Sequence, residues 1–251
     1  MTAAIHRTAA EGFVRPEVYE RGRPGYPDGV VGALDIAPHT RVLDLGCGTG
    51  KLTRMVADAR VLGVEPLPAM LAGFRPALPD VPVVSGTAEA IPVRDASFDV
   101  VTCASAFHWF DHSRALPEIR RVLTDRGRLG IIWNRRDKLE GWAAEFWTIT
   151  EKHRGDTPGY RTGTWREALE SSPHFGPIEE HWFEHTQRVD REGLLARVAS
   201  ISFIETLPDG VRVGVLGEAM RFLDSHPDTK GRDSFALPYH TVVYVSDAAA
   251  R

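Results

Sequence analysis

The sequence predicts an α/β chain with a doubly wound, mostly parallel sheet and a helical segment folded over one end. Three observations point there. Short apolar runs alternate with helical stretches from Arg41 to Asn134, and the first of those runs ends in a loop with glycine at alternate positions. Beyond Asn134 the rhythm changes to longer helical stretches and two further strand-like runs. Apolar runs bounded by glycine and charge, alternating with helices, describe strands covered on both faces. At 251 residues and 43% hydrophobic content, the chain can bury such a core without disulfide staples.

The elements follow in order. The first forty residues are rich in Arg, Gly and Pro around Tyr19–Pro27, where Pro24 and Pro27 oppose a regular helix. A short helix is expected from about Asp28 to Ile36 with Asp28 as its N-cap. Arg41 to Leu45 reads as a strand, Lys51 to Ala57 as a helix, Val61 to Val64 as a strand and Pro68 to Phe74 as a helix. Val81 to Ser85, Phe98 to Cys103 and Leu129 to Trp133 are further strands, with a helix from about Ser113 to Leu123 before the last. Trp142 to His153 looks helical, Thr164 to Glu170 is a short helix capped by Thr164, and Ile178 to Val189 alternates as a strand does. Helices near Arg191 to Ile204 and Gly210 to Leu223 are split by Leu207-Pro208-Asp209-Gly210, and Thr241 to Val245 closes the series as a strand. The chain thus divides into an N-terminal arm and helix (1–40), a core (41–136), and a lid with C-terminal strands completing the sheet (137–251).

Composition excludes several classes. Net charge is −4 with acids and bases interspersed, so no footprint for a nucleic-acid backbone exists; Arg120-Arg121 and Arg135-Arg136 read as solvated faces. No apolar run is long enough to span a bilayer, and Met1 to Gly12 lacks the stretch of a signal peptide. Cys47 and Cys103 are far apart and outside any Cys/His cluster, which predicts a cytoplasmic protein with no disulfide and no metal.

The most informative segment is Val42-Leu43-Asp44-Leu45-Gly46-Cys47-Gly48-Thr49-Gly50. Glycine permits positive φ and removes the Cβ that would keep a ligand from the backbone. Dinucleotide sites use GxGxxG, whereas Gly46, Gly48 and Gly50 give GxGxG behind an acid, Asp44. An acid so close repels a pyrophosphate but suits the ammonium of an amino acid. Glu65, ending the second strand, is placed to accept hydrogen bonds from both hydroxyls of a ribose. The pair describes a ligand with an amino acid at one end and a nucleoside at the other.

Asp44–Gly50 resembles the signature loop of class I S-adenosylmethionine (SAM)-dependent methyltransferases, a Rossmann-like family. Gly63-Val64-Glu65-Pro66, Gly86–Pro92 and Ser97-Phe98-Asp99-Val100-Val101 resemble its successive blocks, in order, across roughly Arg41 to Asn134. The resemblance implies SAM as cofactor, held by Asp44, Gly46, Cys47, Gly48 and Gly50. It implies that Glu65 holds the ribose and that Pro66 and Met70 border the adenine. Ala88 with Glu89 would read the adenine edge, and Thr87 and Ala104 would add further contacts to the cofactor. The arm with Tyr19, Arg23-Pro24 and Tyr26-Pro27 is similar to that of a small-molecule subgroup, in which it folds over the cofactor. Tyr19 and Arg23 would then touch the methionine end, Arg23 gripping the carboxylate with two hydrogen bonds; without the resemblance, a solvated arginine reads equally well.

Two strand ends, Ala104–Asp111 and Trp133–Asp137, resemble those of the trans-aconitate methyltransferase-like members of the methyltransferase type 11 group. Methyl transfer is an in-line displacement, so the protein must chiefly align the reactants and exclude water. A base is needed only for a protonated acceptor. His108 is the candidate base, or else it packs beside the cofactor. Trp109 would face the sulfonium or acceptor, or belong to the core, as would Phe110. Asn134 would orient the acceptor or cap the next helix. Trp142, Trp147, Trp165, Trp182 and Phe203 give the lid apolar walls or a core of its own. The expected reaction is methylation of a small molecule at a carboxylate or hydroxyl oxygen. A SAM-binding protein without methyl transfer, or one using a modified SAM, and an NAD-dependent oxidoreductase remain as alternatives, the last opposed by GxGxG and Asp44. The oligomeric state does not follow from the residues.

Overall fold

The computed structural model describes residues 5–136 and 140–250. The first four residues of the expected arm, and Asp137, where the lid is expected to begin, lie outside the described residues. Three short helices, α1 (Arg7–Gly12), α2 (Pro16–Gly22) and α3 (Gly29–Ala33), precede β1 (Arg41–Leu45). Then come β2 (Arg60–Val64), α4 (Pro68–Ala77), β3 (Val83–Val84), β4 (Phe98–Ala104), α5 (His112–Val122) and β5 (Leu123–Arg135). The remainder is α6 (Gly141–Glu151), α7 (Thr164–Glu170), β6 (Glu179–Asp190), α8 (Arg191–Ala199), α9 (Ser202–Glu205), α10 (Asp209–Ser225) and β7 (Ser234–Asp247).

Among the described residues seven strands make one sheet, in the order β3-β2-β1-β4-β5-β7-β6. The pairs among β1 to β5 are parallel, and β7 runs antiparallel to both β5 and β6. This is the doubly wound, mostly parallel class that the sequence predicts. Alternate strand residues serve opposite faces, as a period of two dictates. Leu43 and Val101 join Ile119 and Val122 of α5 in one cluster, whereas Val42 and Val100 pack with Val56 and Val61 in another. Strand order reverses between β1 and β4, which opens a crevice at their carboxyl ends.

Several elements differ from expectation. Lys51–Ala57 forms only a single tight turn, Thr53–Met55. The Thr53 hydroxyl donates to Asp44, and Met55 and Val56 bond three residues back rather than four. Helix α7 is capped by Gly163 at φ 76°, and Thr164 is its first residue. Asp28 stands at the N-cap of α3, but its side chain makes no capping bond. The predicted helix over Arg191–Ile204 breaks after Ala199: Ser200 turns its hydroxyl back onto the Arg197 carbonyl at 2.9 Å, and Ile201 is extended. Helices α1 and α2 were not expected, and α2 includes Tyr19. Strand β5 begins at Leu123 because that residue already pairs with Phe98.

Helices α6, α8, α9 and α10 bury Phe146, Trp147, Leu194, Phe203 and Ala219 against Leu237 and Tyr239 of β7. Trp147 and Phe203 therefore belong to a core of this segment, Trp165 to the main core, and Trp182 stays exposed on β6. No helix of the described residues is long and apolar enough to cross a membrane.

Candidate active site

A cavity opens at the carboxyl ends of β1, β2 and β4. The strand ends contribute Gly46 and Gly48, Glu65 and Pro66, and Ala104 to Ala106. The arm contributes Ile5, Ala9, Phe13 and Tyr19, and Met70 comes from α4. Thr87, Ala88 and Glu89 line it as well. A smaller recess shares Tyr19, Gly46 and Ala104 with the cavity and adds Asp44, Cys47, Tyr26 and Lys51.

The glycines divide in role. Gly46 sits at φ 71°, and a Cβ there would lie 2.6 Å from the Ala106 Cβ, so β1 and β4 close on each other only without one. Gly48 sits at φ 57° and a Cβ on it would meet nothing within 4 Å. Its bare backbone therefore faces the cavity. At Gly50, by contrast, a Cβ would run into Leu78 and Phe74, and this glycine is not among the lining residues.

The two acids are buried and held from behind. Asp44 is 1% exposed; its oxygens accept from the hydroxyls of Thr53 (2.5 Å) and Thr102 (2.9 Å), and burial lifts its pKa to about 6. Glu65 accepts the N–H of Gly48 at 3.0 Å and that of Leu67 at 2.9 Å. Burial raises its pKa to about 7 against the pull of those two bonds. Each oxygen keeps a lone pair for a further donor. The Thr87 hydroxyl is buried in the cavity wall without a hydrogen-bond partner among the described residues. Glu89 accepts the Asp111 N–H at 2.9 Å.

At the aromatic end, Phe13 meets Tyr19 edge-on at 5.8 Å and Trp109 at 6.0 Å. Trp109 and Phe110 both line the cavity, and Phe110 packs against the main core as well. His108 does not. Its Nδ1 accepts the indole N–H of Trp133 at 3.3 Å, and desolvation, followed by the Arg23 and Arg154 cations, lowers its pKa to about 3. So placed, His108 matches the other sequence reading, a histidine packed beside the site, and its lowered pKa does not favour a base near neutral pH. Asn134 donates to the Gly25 carbonyl at 2.8 Å and accepts from the Thr241 hydroxyl at 2.5 Å. It therefore clasps the arm to β7, and the N-cap of α6 is Glu140. Arg23 is not solvated: it donates to the Ser200 hydroxyl at 3.1 Å and carbonyl at 2.6 Å, with its guanidinium 5.3 Å from the Tyr19 ring centroid. It fastens the arm to the end of α8, outside the cavity lining.

A family model described as a methyltransferase domain matches residues 43–131. An uncharacterized methyltransferase of Mycobacterium tuberculosis is 40% identical over 226 residues, covering 89% of this chain and 90% of that protein. The chain belongs to the methyltransferase type 11 family. A malonyl-[acyl-carrier protein] O-methyltransferase of Herminiimonas arsenicoxydans is 31% identical over 179 residues, covering 69% of this chain and 67% of that protein. Among solved structures, the YcgJ protein of Bacillus subtilis shares the fold: TM-score 0.56 at 17% identity, over 89% of this chain and 98% of that one.

Membership of that family implies SAM as methyl donor, and this methyltransferase offers features a nucleoside with an amino-acid tail would complete. They are a bare glycine backbone, two carboxylates with spare lone pairs and an orphaned Thr87 hydroxyl. Sequence reasoning missed Ile5, Ala9 and Phe13, which line the cavity from the arm. It also missed Ser105, whose φ of 56° is rare outside glycine and whose hydroxyl is 3.2 Å from that of Tyr26. Apolar residues of a short arm carry no periodic signal, and a left-handed serine carries none at all.

Proposed function

We propose that this methyltransferase binds SAM in the cavity and its recess and methylates an oxygen of a small-molecule acceptor. The observation that carries this reading is the placement of Asp44 and Glu65 on either side of the Gly46–Gly48 loop. Bound there, SAM supplies an electrophilic methyl on a sulfonium. Glu65 would accept from the ribose hydroxyls, and Asp44 in the recess would receive the amino-acid end. Thr87, Ala88 and Glu89 would serve the adenine. Phe13, Tyr19 and Trp109 would keep water from the reacting atoms. In this reading residues 1–40 cover the cofactor and the helical part of 137–251 closes the acceptor side.

The acceptor oxygen is a carboxylate rather than a hydroxyl. A carboxylate attacks without losing a proton, and His108, the sequence's candidate base, is committed to Trp133. The malonyl-[acyl-carrier protein] relative is by its name an O-methyltransferase, which agrees. A radiolabelled methyl-transfer screen over small acids, phenols and amines tests the proposal. Base-labile methyl esters are expected; products confined to amines, or none at all, would contradict it.

The raised pKa of Glu65 sets a pH dependence. Ribose hydroxyls donate to the ionised carboxylate, so the ligand lowers its pKa and binding releases a proton. Affinity is therefore expected to fall as pH drops through about 7, by up to about tenfold per pH unit. Methylthioadenosine is the probe of choice, because it lacks the titrating amino-acid end. Calorimetry giving equal affinities at pH 5.5 and pH 8 would remove Glu65 from the ribose.

A further inference from the structure

Behind the arm that walls the cavity lies a group of cations outside its lining. Arg197, on α8, is 4% exposed, and its Nε donates to the Tyr239 hydroxyl at 3.2 Å. Its Nη1 has no hydrogen-bond partner among the described residues. Arg136 follows β5 with its side chain 11% exposed, and its Nη1 is likewise buried and unmatched among the described residues. Both guanidiniums address the same indole: that of Arg136 is 3.9 Å and that of Arg197 5.2 Å from the Trp147 ring centroid.

Counter-charge is short here. Glu151 is 3.9 Å from Arg136, but both its oxygens are taken by Arg154 at 2.8 and 3.0 Å, and Arg161 approaches one of them at 3.5 Å. Arg23 belongs to the same field. Burial first, and the Arg197 cation second, hold Arg136 down to about 9 and Arg23 to about 10. A guanidinium keeps its charge even so, and a buried donor left unmatched is costly in any fold. In a chain of net charge −4, such a concentration of buried cations calls for an anion.

The group meets the arm that walls the cavity: a Cβ on Gly22 would lie 2.6 Å from the Arg197 backbone N, and the next arm residue, Arg23, lies over Tyr19, which lines the cavity. We propose that Arg136 and Arg197, flanking Trp147, form an oxyanion subsite of the acceptor pocket. It would hold a carboxylate or phosphate of the acceptor other than the oxygen that is methylated. The inference rests on the reading of this site as that of a small-molecule methyltransferase. It makes the acceptor at least dianionic: one group accepts the methyl and a second is gripped by the guanidinium forks, whose planar donors suit either oxyanion.

The test loads the chain with S-adenosylhomocysteine and titrates it by calorimetry with dicarboxylates from succinate to adipate and, separately, with sn-glycerol 3-phosphate. At least one oxyanion is expected to bind the wild type. Arg197→Met is expected to weaken it by about thirtyfold or more, as for truncation of one side of a buried charge pair. Arg197→Lys, which keeps the charge and loses the fork, is expected to fall between, and S-adenosylhomocysteine affinity should stay within about threefold of wild type in both. Preference for a dicarboxylate or for the phosphate identifies the oxyanion. Should Arg197→Met not fold, Arg136→Met is read the same way, and the wild-type titration stands alone. S-adenosylhomocysteine binding with no oxyanion binding, or with oxyanion binding indifferent to Arg197 and Arg136, overturns the subsite. No binding of S-adenosylhomocysteine overturns the cofactor reading first, and the subsite with it.

Discussion

Glu65→Ala is expected to weaken S-adenosylhomocysteine binding by about 2–4 kcal/mol, roughly thirty- to a thousandfold, with little loss of fold stability. The magnitude is that of two charge-assisted hydrogen bonds from ribose hydroxyls. Stability is spared because the deleted carboxylate is a burdened one. Its pKa is raised from 4.5 to about 7, so the native state keeps a proton that the unfolded chain has released across that interval. The sign follows: Glu65 subtracts from stability progressively as pH rises from about 4.5 to about 7, and by a constant amount above. Removing it abolishes that penalty, which offsets the two backbone donors, Gly48 and Leu67, left to water in the cavity. Glu65→Gln is the informative companion. An amide has one acceptor oxygen, so it satisfies one of the two N–H groups and turns its own NH₂ toward the other. Melting curves at pH 6 and pH 8 beside calorimetric titrations separate the effects. A Glu65→Ala chain that binds S-adenosylhomocysteine like wild type would remove this carboxylate from the site.

The second large effect comes from two neighbouring glycines that should respond oppositely. Gly46→Ala places a Cβ 2.6 Å from the Ala106 Cβ at a positive φ. Overlap and left-handed strain together are expected to cost about 2–4 kcal/mol of stability and to part the ends of β1 and β4. Gly48→Ala meets nothing within 4 Å in the free protein, so its stability cost is only the left-handed strain, about 1–2 kcal/mol. Its methyl would, however, stand where a ligand approaches the loop, and affinity is expected to fall at least about tenfold. Melting temperatures and S-adenosylhomocysteine titrations on both variants check the contrast. If Gly48→Ala leaves affinity intact, the ligand does not lie against this backbone.

What the sequence made legible is what short-range chemistry controls. Strand β1 is read from its buried aliphatic residues, and Asp44, Gly46, Gly48 and Glu65 follow from strand ends and glycine spacing. The cavity lines up with those expectations because the carboxyl ends of parallel strands must converge there. The failures share a different cause: each residue is committed by a partner remote in sequence. His108 is held by Trp133, 25 positions on, Asn134 by Gly25, 109 positions back, and Arg23 by Ser200, 177 positions on. A local reading supplies the chemical capacity of such a side chain, not its engagement. The Lys51–Ala57 helix shrinks to the Thr53–Met55 turn, where the Thr53 hydroxyl is tied to Asp44. Arg197 illustrates the limit most clearly. Nothing in its sequence neighbours, Ala196 and Val198, announces that it packs beside Trp147 of α6 and donates to Tyr239 of β7.

The central claim is that the Asp44, Gly46–Gly48 and Glu65 constellation binds an adenosyl amino acid. Calorimetry of the wild-type chain with S-adenosylhomocysteine and, separately, NADH tests it most directly. Saturable one-to-one binding of S-adenosylhomocysteine, lost in Glu65→Ala, with no heat from NADH, is the predicted result. Tight NADH binding with no heat from S-adenosylhomocysteine would contradict it.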